Sequence, residues 1–595
     1  PNPVAAQSFA ERKRMFALPR SSWADYDTAL ISSGGGVWSR ELKSIAISPQ
    51  MREALGIDDG VEELSPPELI HAILLSPNDL LWNGGIGTYV KASFEANVDV
   101  GDKANDAIRV NGDQLRVKVV GEGGNLGVTE RGRIEYDLAG GRINTDAMDN
   151  SAGVDCSDHE VNIKILLDSQ VSGGQLAAAN RNPLLESMTD EVARLVLADN
   201  IAQNTELGFA RTFADTYVDV HARLLKHLAA DHDVDLELEA LPTPLQLRKR
   251  FAGELHRGLT SPELATLMAQ VKLTTKADLL ASDVPDSDVF LTRLSRYFPE
   301  PLQQKFSEGI LGHRLRREVI TTTLVNDVVD LAGATHLFRL GEGTGASTSD
   351  GVRAYVVTAE IFGLPELWRR ITTGDTETAA IDEMLLYSRR LAFRGSRWML
   401  AYRPQPLAMA AEIKRYSARI ERVRDELPTW LGESSTNDVH ARSARFQKLG
   451  VPAELADDVA ISLHRFLLLD IIDAADIAER ELTEVGELYC AILEHLGIEG
   501  MLTAVSDLEH GDRWHSLARL ALRDDLHAAL RSLTLKILEL GEPSESATEK
   551  IAEWELSNAS RLTRVRGTLD EVLSSGTLDL ATLSVITRQL RSVIR

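Results

Sequence analysis

Residues 116–167 limit what this chain can fold into more than any other stretch: RVKVVGEGGNLGVTERGRIEYDLAGGRINTDAMDNSAGVDCSDHEVNIKILL. Val117, Val119 and Val120 form an apolar β-type run that ends at Gly121. The loop GEGGNLG follows, with Asn125 at its centre. Next come a short strand candidate around Ile143, a second small-residue loop, DNSAGVDCSD, and a helix start. Strand, loop, strand, loop, helix is the plan of an open α/β sheet, in which ligands bind where loops leave the carboxyl ends of strands. Glycines let backbone approach a ligand closely, and asparagine amides offer both donors and acceptors.

Around this unit the pattern changes along the chain. Residues 5–18 read as a short helix, and 45–47 as a strand after a glycine turn at 33–36. Residues 65–76, SPPELIHAILLS, carry a serine cap, first-turn prolines and an apolar face, which predicts a helix. Residues 79–82 read as a buried strand with Asn83-Gly84-Gly85 as its outgoing loop, and 102–110 as a polar helix. From about Asp158 onward a 3.6-residue apolar period dominates. Segments 313–332, 453–477 and 517–540 are amphipathic helices by this measure, and DHDVDLELEALP is a solvated linker. Polar breaks are expected at 432–440 and 541–550, and GEGTGAS at 341–347 is a helix–helix connection, because it lacks a phosphate loop's lysine and preceding strand.

The chain has 595 residues, enough for several cores. A net charge of −25 argues against nucleic acid or an anionic membrane as the main partner. The two cysteines, Cys156 and Cys490, are too far apart in sequence to suggest a disulfide framework, so a reducing, cytoplasmic setting is expected. The best apolar run, FLLLDIIDAADIA, is interrupted by Asp470 and Asp473, so no membrane span is expected.

By residue type alone, a glycine cluster after a strand is first a turn. Asn83-Gly84-Gly85 is equally a tight turn or a ligand loop. Ser157, ahead of the helical run, reads most simply as a helix N-cap. Cys156, Asp158 and His159 have no second Cys/His pair nearby, so no metal is expected. HRLRRE at 313–318 is a solvated basic helix face.

The loops also carry a resemblance. Glu122-Gly123-Gly124-Asn125 is similar to the EGAN loop of small glutamate dehydrogenases. Asn150-Ser151-Ala152-Gly153-Val154 with Ser157 and Glu160 is in register with their NAGGV and SYFEW motifs. The aromatic pair of the second motif is replaced by Asp158-His159. With LLWNGGIGTYVKAS at 80–93, this resembles the large NAD-specific glutamate dehydrogenases of bacteria.

The resemblance implies an α/β region followed by an all-α one. Residues 1–170 would be a partial Rossmann-like NAD-binding domain, 171–230 a helical connection and 231–595 a C-terminal helical domain. It implies NAD as cofactor, with Asn83, Gly84, Gly123, Asn125 and Asn150 along it. It places Ser157 at the substrate's distal carboxylate, a role compatible with capping. A hydroxyl there favours a dicarboxylic substrate, since a buried polar group left unpaired is costly. L-Glutamate, 2-oxoglutarate and ammonium are then the small-molecule partners, and a homo-oligomer such as a tetramer is expected. The family's catalytic lysine and aspartate would lie upstream of Pro1, which implies a C-terminal part of a longer protein, inactive by itself. The alternative is a helical assembly or regulatory module with a vestigial nucleotide domain. A dehydrogenase of branched or aromatic amino acids is disfavoured by Ser157.

Overall fold

The computed structural model describes residues 1–508, 512–575 and 579–594. Its first 150 residues hold six short strands. β1 (Ile45–Ala46) and β2 (Glu63–Leu64) pair antiparallel. β3 (Leu80–Asn83) pairs parallel with β6 (Val119–Glu122), with Trp82 opposite Gly121 and Asn83 opposite Glu122. β4 (Val90–Lys91) pairs parallel with β5 (Val110–Asn111). Single parallel bridges, Val90 with Val128 and Val119 with Arg142, extend these pairs. The Ile143 region therefore supplies one bridge rather than a strand. Val90, Val110, Val120, Val128, Tyr136 and Ile143 close a small core beneath the strands.

The strand ends carry the loops, and the helices follow. α1 (Glu130–Leu138) starts at Thr129, whose hydroxyl accepts from the Gly132 N–H at 3.0 Å. α2 (Ser151–Ser172) packs on α3 (Thr189–Thr212). Beyond them the chain is helical, with α4 (Ser261–Leu280), α5 (His336–Thr344), α6 (Thr378–Tyr402) and α7 (Arg513–Leu540) among the packing elements. One continuous apolar cluster runs from Met148 to Leu590, so the helices around the α/β unit and those of the C-terminal region share a core. Among the described residues no single helix is long and apolar enough to cross a membrane.

The predicted helix at 65–76 is present as Pro66–Leu74, with the Ser65 hydroxyl and the Glu68 carboxylate forming the reciprocal cap. The amphipathic segments beyond residue 300 are helical too, and 313–332 ends in a π-helical turn, Asp327–Ala332. Four expectations are corrected. The strand at 79–82 is not buried: Leu80 is 55% and Trp82 61% exposed, because β3 is an edge strand covered on one side. Residues 102–110 form only a 3-10 turn, Lys103–Asn105. There the Arg109 guanidinium donates to the Thr88 and Asp102 carbonyls, and Asp102 accepts from the Thr88 N–H, so these side chains tie the segment to residue 88 and occupy the one carbonyl, that of Asp102, that a helix would have used. The polar break at 432–440 is instead the start of a helix, Glu433–Lys448. Its first N–H donates to Glu494 at 2.7 Å, a tertiary cap that local composition does not reveal. The second small-residue loop ends early, since α2 begins at Ser151 with Asn150 at its N-cap.

Candidate functional site at the carboxyl ends of β3 and β6

The two glycine loops are stitched to each other. The Asn83 carbonyl at the end of β3 accepts from the N–H groups of Gly123 and Gly124, at 2.8 and 3.1 Å. The fit leaves no room for side chains. A Cβ on Gly124 would sit 2.6 Å from the Gly85 carbonyl oxygen. One on Gly127 would overlap the Asn83 amide nitrogen, and one on Gly123 would meet the Trp82 ring at 2.7 Å. Leu126 holds a left-handed φ of 57°, a conformation that favours glycine, and its N–H donates to Asp146 at 2.8 Å.

Asn150 closes this loop from the other side. Its amide donates to the Gly124 carbonyl at 3.1 Å and to the Asn125 side-chain oxygen at 2.7 Å. Four of the predicted cofactor residues, Asn83, Gly123, Asn125 and Asn150, are thereby joined directly or through Gly124, and Gly84 lies exposed beside them. The Asn83 amide nitrogen is buried without a hydrogen-bond partner.

Ser157 is placed differently from its simplest reading. It is exposed on the second turn of α2, seven residues past the N-cap. A helix-cap role is excluded there, because its own N–H lies beyond the first turn. At 1.5 Å per residue it stands about 10 Å along the helix axis from Asn150. Val154, one turn earlier, is also exposed, as are Trp82, Ile86 and Leu126 on the loops.

The residues that shape the loop were not apparent from its motif. Glu122, the last residue of β6, is fully buried. It accepts from Arg133 Nε at 2.7 Å, from Arg133 Nη2 at 3.1 Å and from the Val128 N–H at 3.1 Å. Arg133 also bonds Glu130 and lies 3.3 Å from Asp146. Burial works against its charge, but Glu122, Glu130 and Asp146 together outweigh this and raise its pKa. Asp149 accepts from the Glu122 N–H at 2.9 Å and from the Asn144 amide at 3.1 Å. Asn200 on α3 anchors the start of α2, donating to the Met148 carbonyl and the Ser151 hydroxyl at 3.0 and 2.8 Å.

A second cluster lies under α2. Asp155, His159 and Asp199 each bring one ligand atom within 4.8 Å of the others. Cys156 and Asp158, the sequence neighbours of His159 on α2, are exposed and lie outside this cluster. Burial first, then the facing Asp199 and Asp158 charges, push Asp155 up to about 7. Two carboxylates this close share a proton. Desolvation lowers His159, whose ring stacks on Tyr297 at 4.3 Å. Lys272 on α4 lowers both aspartates again and pairs with Asp330 at 2.7 Å.

Two families match this chain. "Glutamate dehydrogenase, C-terminal" covers residues 256–592, and "Bacterial NAD-glutamate dehydrogenase, catalytic domain" covers residues 1–210. The chain belongs to the bacterial NAD-glutamate dehydrogenase family. The catalytic-domain match corrects the expectation of a C-terminal part alone, since the segment carrying the loops is catalytic-domain sequence from residue 1. The chain is 56% identical over its whole length to a protein named NAD-specific glutamate dehydrogenase from Mycobacterium tuberculosis. It is 42% and 40% identical, over 99% of its length, to proteins of that name from Pseudomonas aeruginosa and Halomonas elongata. It spans 37% of the length of the first relative and 36% of the other two.

Glu122→Gln leaves Arg133 buried without its main counter-charge, and breaking such a pair costs about 3–5 kcal/mol. Chemical denaturation of parent and variant measures it; a loss under 1 kcal/mol would show that Glu130 and Asp146 suffice. For Asp155, a folded pKa of about 7 lies above the unfolded value of about 3.9. Its proton-linked stability is full below about pH 4 and is lost as pH rises through about 7. Asp155→Asn keeps a donor toward Asp199 at every pH. Its melting temperature should therefore fall less than the parent's between pH 5 and 8, and should exceed it at pH 8. Parallel pH curves for the two proteins would mean that Asp155 is not the titrating group.

Proposed function

We propose that this chain supplies part of the nucleotide and substrate site of an NAD-dependent glutamate dehydrogenase. The reaction is L-glutamate with NAD and water giving 2-oxoglutarate, ammonium, NADH and a proton. The observation that carries the reading is the clasp of Asn150 on Gly124 and Asn125, at the carboxyl ends of two parallel strands. It joins two motifs that are 25 residues apart in sequence.

The loops fit a dinucleotide. Gly123 and Gly124 leave backbone open at the surface, and beside them Asn83 holds a buried amide nitrogen without a partner. NAD supplies the hydride acceptor when bound. Asn125 and Asn150 would orient its amide and ribose hydroxyls and so select the ring face that receives hydride. The exposed Trp82 and Leu126 offer apolar surface beside them. Ser157, one side chain projecting from α2, would donate to the distal carboxylate of glutamate. In this reading residues 1–170 are an incomplete Rossmann-like domain, 171–230 a helical connection and 231–595 a helical domain that serves assembly in a cytoplasmic homo-oligomer.

Ser157→Val in the full-length enzyme tests the substrate assignment. Hydrogen bonds to charged groups contribute about 1.5–3 kcal/mol, or roughly 10–200-fold in kcat/KM for glutamate. NADH affinity and melting temperature should stay close to the parent's, because Ser157 is exposed and is not a helix cap. Unchanged glutamate kinetics would remove Ser157 from the substrate site. The converse variant, Asn150→Ala, should weaken NADH binding while glutamate affinity changes less. If NADH affinity holds, the clasp belongs to the loop's folding and not to the cofactor.

A further inference from the structure

A cavity of about 530 Å³ lies in the helical region, between α3, α5, α6 and α7. That volume is in the range of small-molecule sites, about 300–1,000 Å³. Its lining is unusual for a chain of net charge −25. Nine arginines face four carboxylates, with no lysine. The four carboxylates are already engaged. Glu206 pairs with Arg389, Asp219 and Glu342 with Arg223, and Asp524 with Arg397. Among the described residues, Arg339, Arg390, Arg394, Arg519 and Arg523 have no carboxylate within ion-pair distance.

The arrangement follows from helix spacing. Arg390, Arg394 and Arg397 recur at four and three residues on one face of α6. Arg519, Arg523 and His527 recur at four residues on α7. The two faces meet. After burial itself, the charges of Arg523, Arg390 and Arg442 lower the Arg394 pKa, and that of Arg339 lowers the Arg519 pKa. Arg397 reaches Asp524 with one nitrogen but keeps Nε and Nη1 buried and unbonded. His527, 6% exposed, has a buried Nδ1 without a partner, and so has His336 at Nε2.

Like charges gathered in a half-buried cavity cost stability, and unbonded buried donors add to the cost. A bound anion removes both costs. Arginine forks bind phosphate and carboxylate oxygens two at a time, which suits them to this task better than lysines. We propose that this cavity is a binding site for a small polyanion carrying at least two phosphate or carboxylate groups. Arg394 and Arg523 hold its centre, with Arg397 and Arg519 on either side. The site also has a route to the loops. Arg389 in the cavity wall bonds Glu206 on α3, at 2.5 Å. The same helix carries Asn200, which anchors Met148 and Ser151 beside the Asn150 clasp. Effector action on glutamate oxidation rests on the function proposed above; binding does not.

Calorimetric titration of the full 595-residue chain tests the site, with inorganic pyrophosphate, citrate and ADP as separate probes. At least one should bind saturably at 0.1 M salt and weaken as salt rises. Pyrophosphate and ADP without citrate would assign the site to phosphates, and citrate alone to carboxylates. Arg394→Gln and Arg523→Gln should each weaken binding at least tenfold. The melting temperature of Arg394→Gln should equal or exceed the parent's, since it removes a repulsion; Arg523→Gln also gives up bonds to the Leu502 carbonyl and the Ser506 hydroxyl, so its test is the loss of binding. Asn125→Ala, in the nucleotide loop, should leave binding unchanged. Absence of saturable binding by all three probes would overturn the proposal. So would binding that survives both arginine variants or is lost in Asn125→Ala. None of these readouts depends on glutamate turnover, so the function proposed above can fail while this site stands, and the reverse.

Discussion

The loop at the end of β6 owes its shape to one buried charge. Glu122 ends a strand, where a carboxylate without water must find donors. It finds two nitrogens of Arg133 and the Val128 N–H. Those bonds tie the loop's exit to its entry, so residues 123–127 have little freedom left. The glycines then follow from crowding rather than from flexibility. Gly124 and Gly127 sit where Gly85 and Asn83, at the end of β3, already occupy the space a side chain would take. Asn150 completes the same closure from α2. A ligand arriving at this loop meets donors and acceptors that are already in place, which lowers the ordering cost of binding.

Much of this was legible in the sequence, and what was missed has a physical pattern. The apolar run at 117–120, the glycine loop and the capping box at Ser65 are local signals, and each produced the expected element. The pairing of Asn125 with Asn150 was reachable only through the family motifs, because no local rule joins residues so far apart. Glu122 and Arg133 carry no burial signal at all, since charged residues in a single sequence default to the surface. The buried strand at 79–82 failed for the opposite reason: its apolar residues were read as core, yet the sheet ends there and Trp82 covers glycines instead. Ser157 was misplaced because α2 starts with Ser151-Ala152-Gly153, residues that more often punctuate a loop than open a helix. Asn200 and the packing of α3 hold that start in place.

The α/β unit and the helical region do not meet across a neutral seam. Charged groups run through it in contact with one another. Asp155 on α2 faces Asp199 on α3; Lys272 on α4 serves both and pairs with Asp330. Arg389 on α6 bonds the Asp330 carbonyl and the Glu206 carboxylate. Such groups are expensive to bury, and hydrophobic replacements of like volume are often as stable. What they provide is a defined geometry, because a misregistered helix would leave a charge unpaired at several kcal/mol. The seam therefore holds α2 and α3 in one relation to the helical region, and so fixes the position of the Asn150 clasp.

That same seam ends at the arginine cavity, where the charge balance changes sign. On the α2 side the unpaired excess is acidic, and a shared proton relieves it. On the α6–α7 side the excess is basic, and a guanidinium does not release its proton at ordinary pH. Protonation can therefore relieve one end and not the other. The helical region keeps arginines where aliphatic residues would pack at lower cost, in a core that is otherwise continuous and apolar. A packing role does not explain residues that repel each other, and solvation alone does not explain nitrogens buried without partners. An anion small enough for the cavity satisfies both observations with one set of contacts.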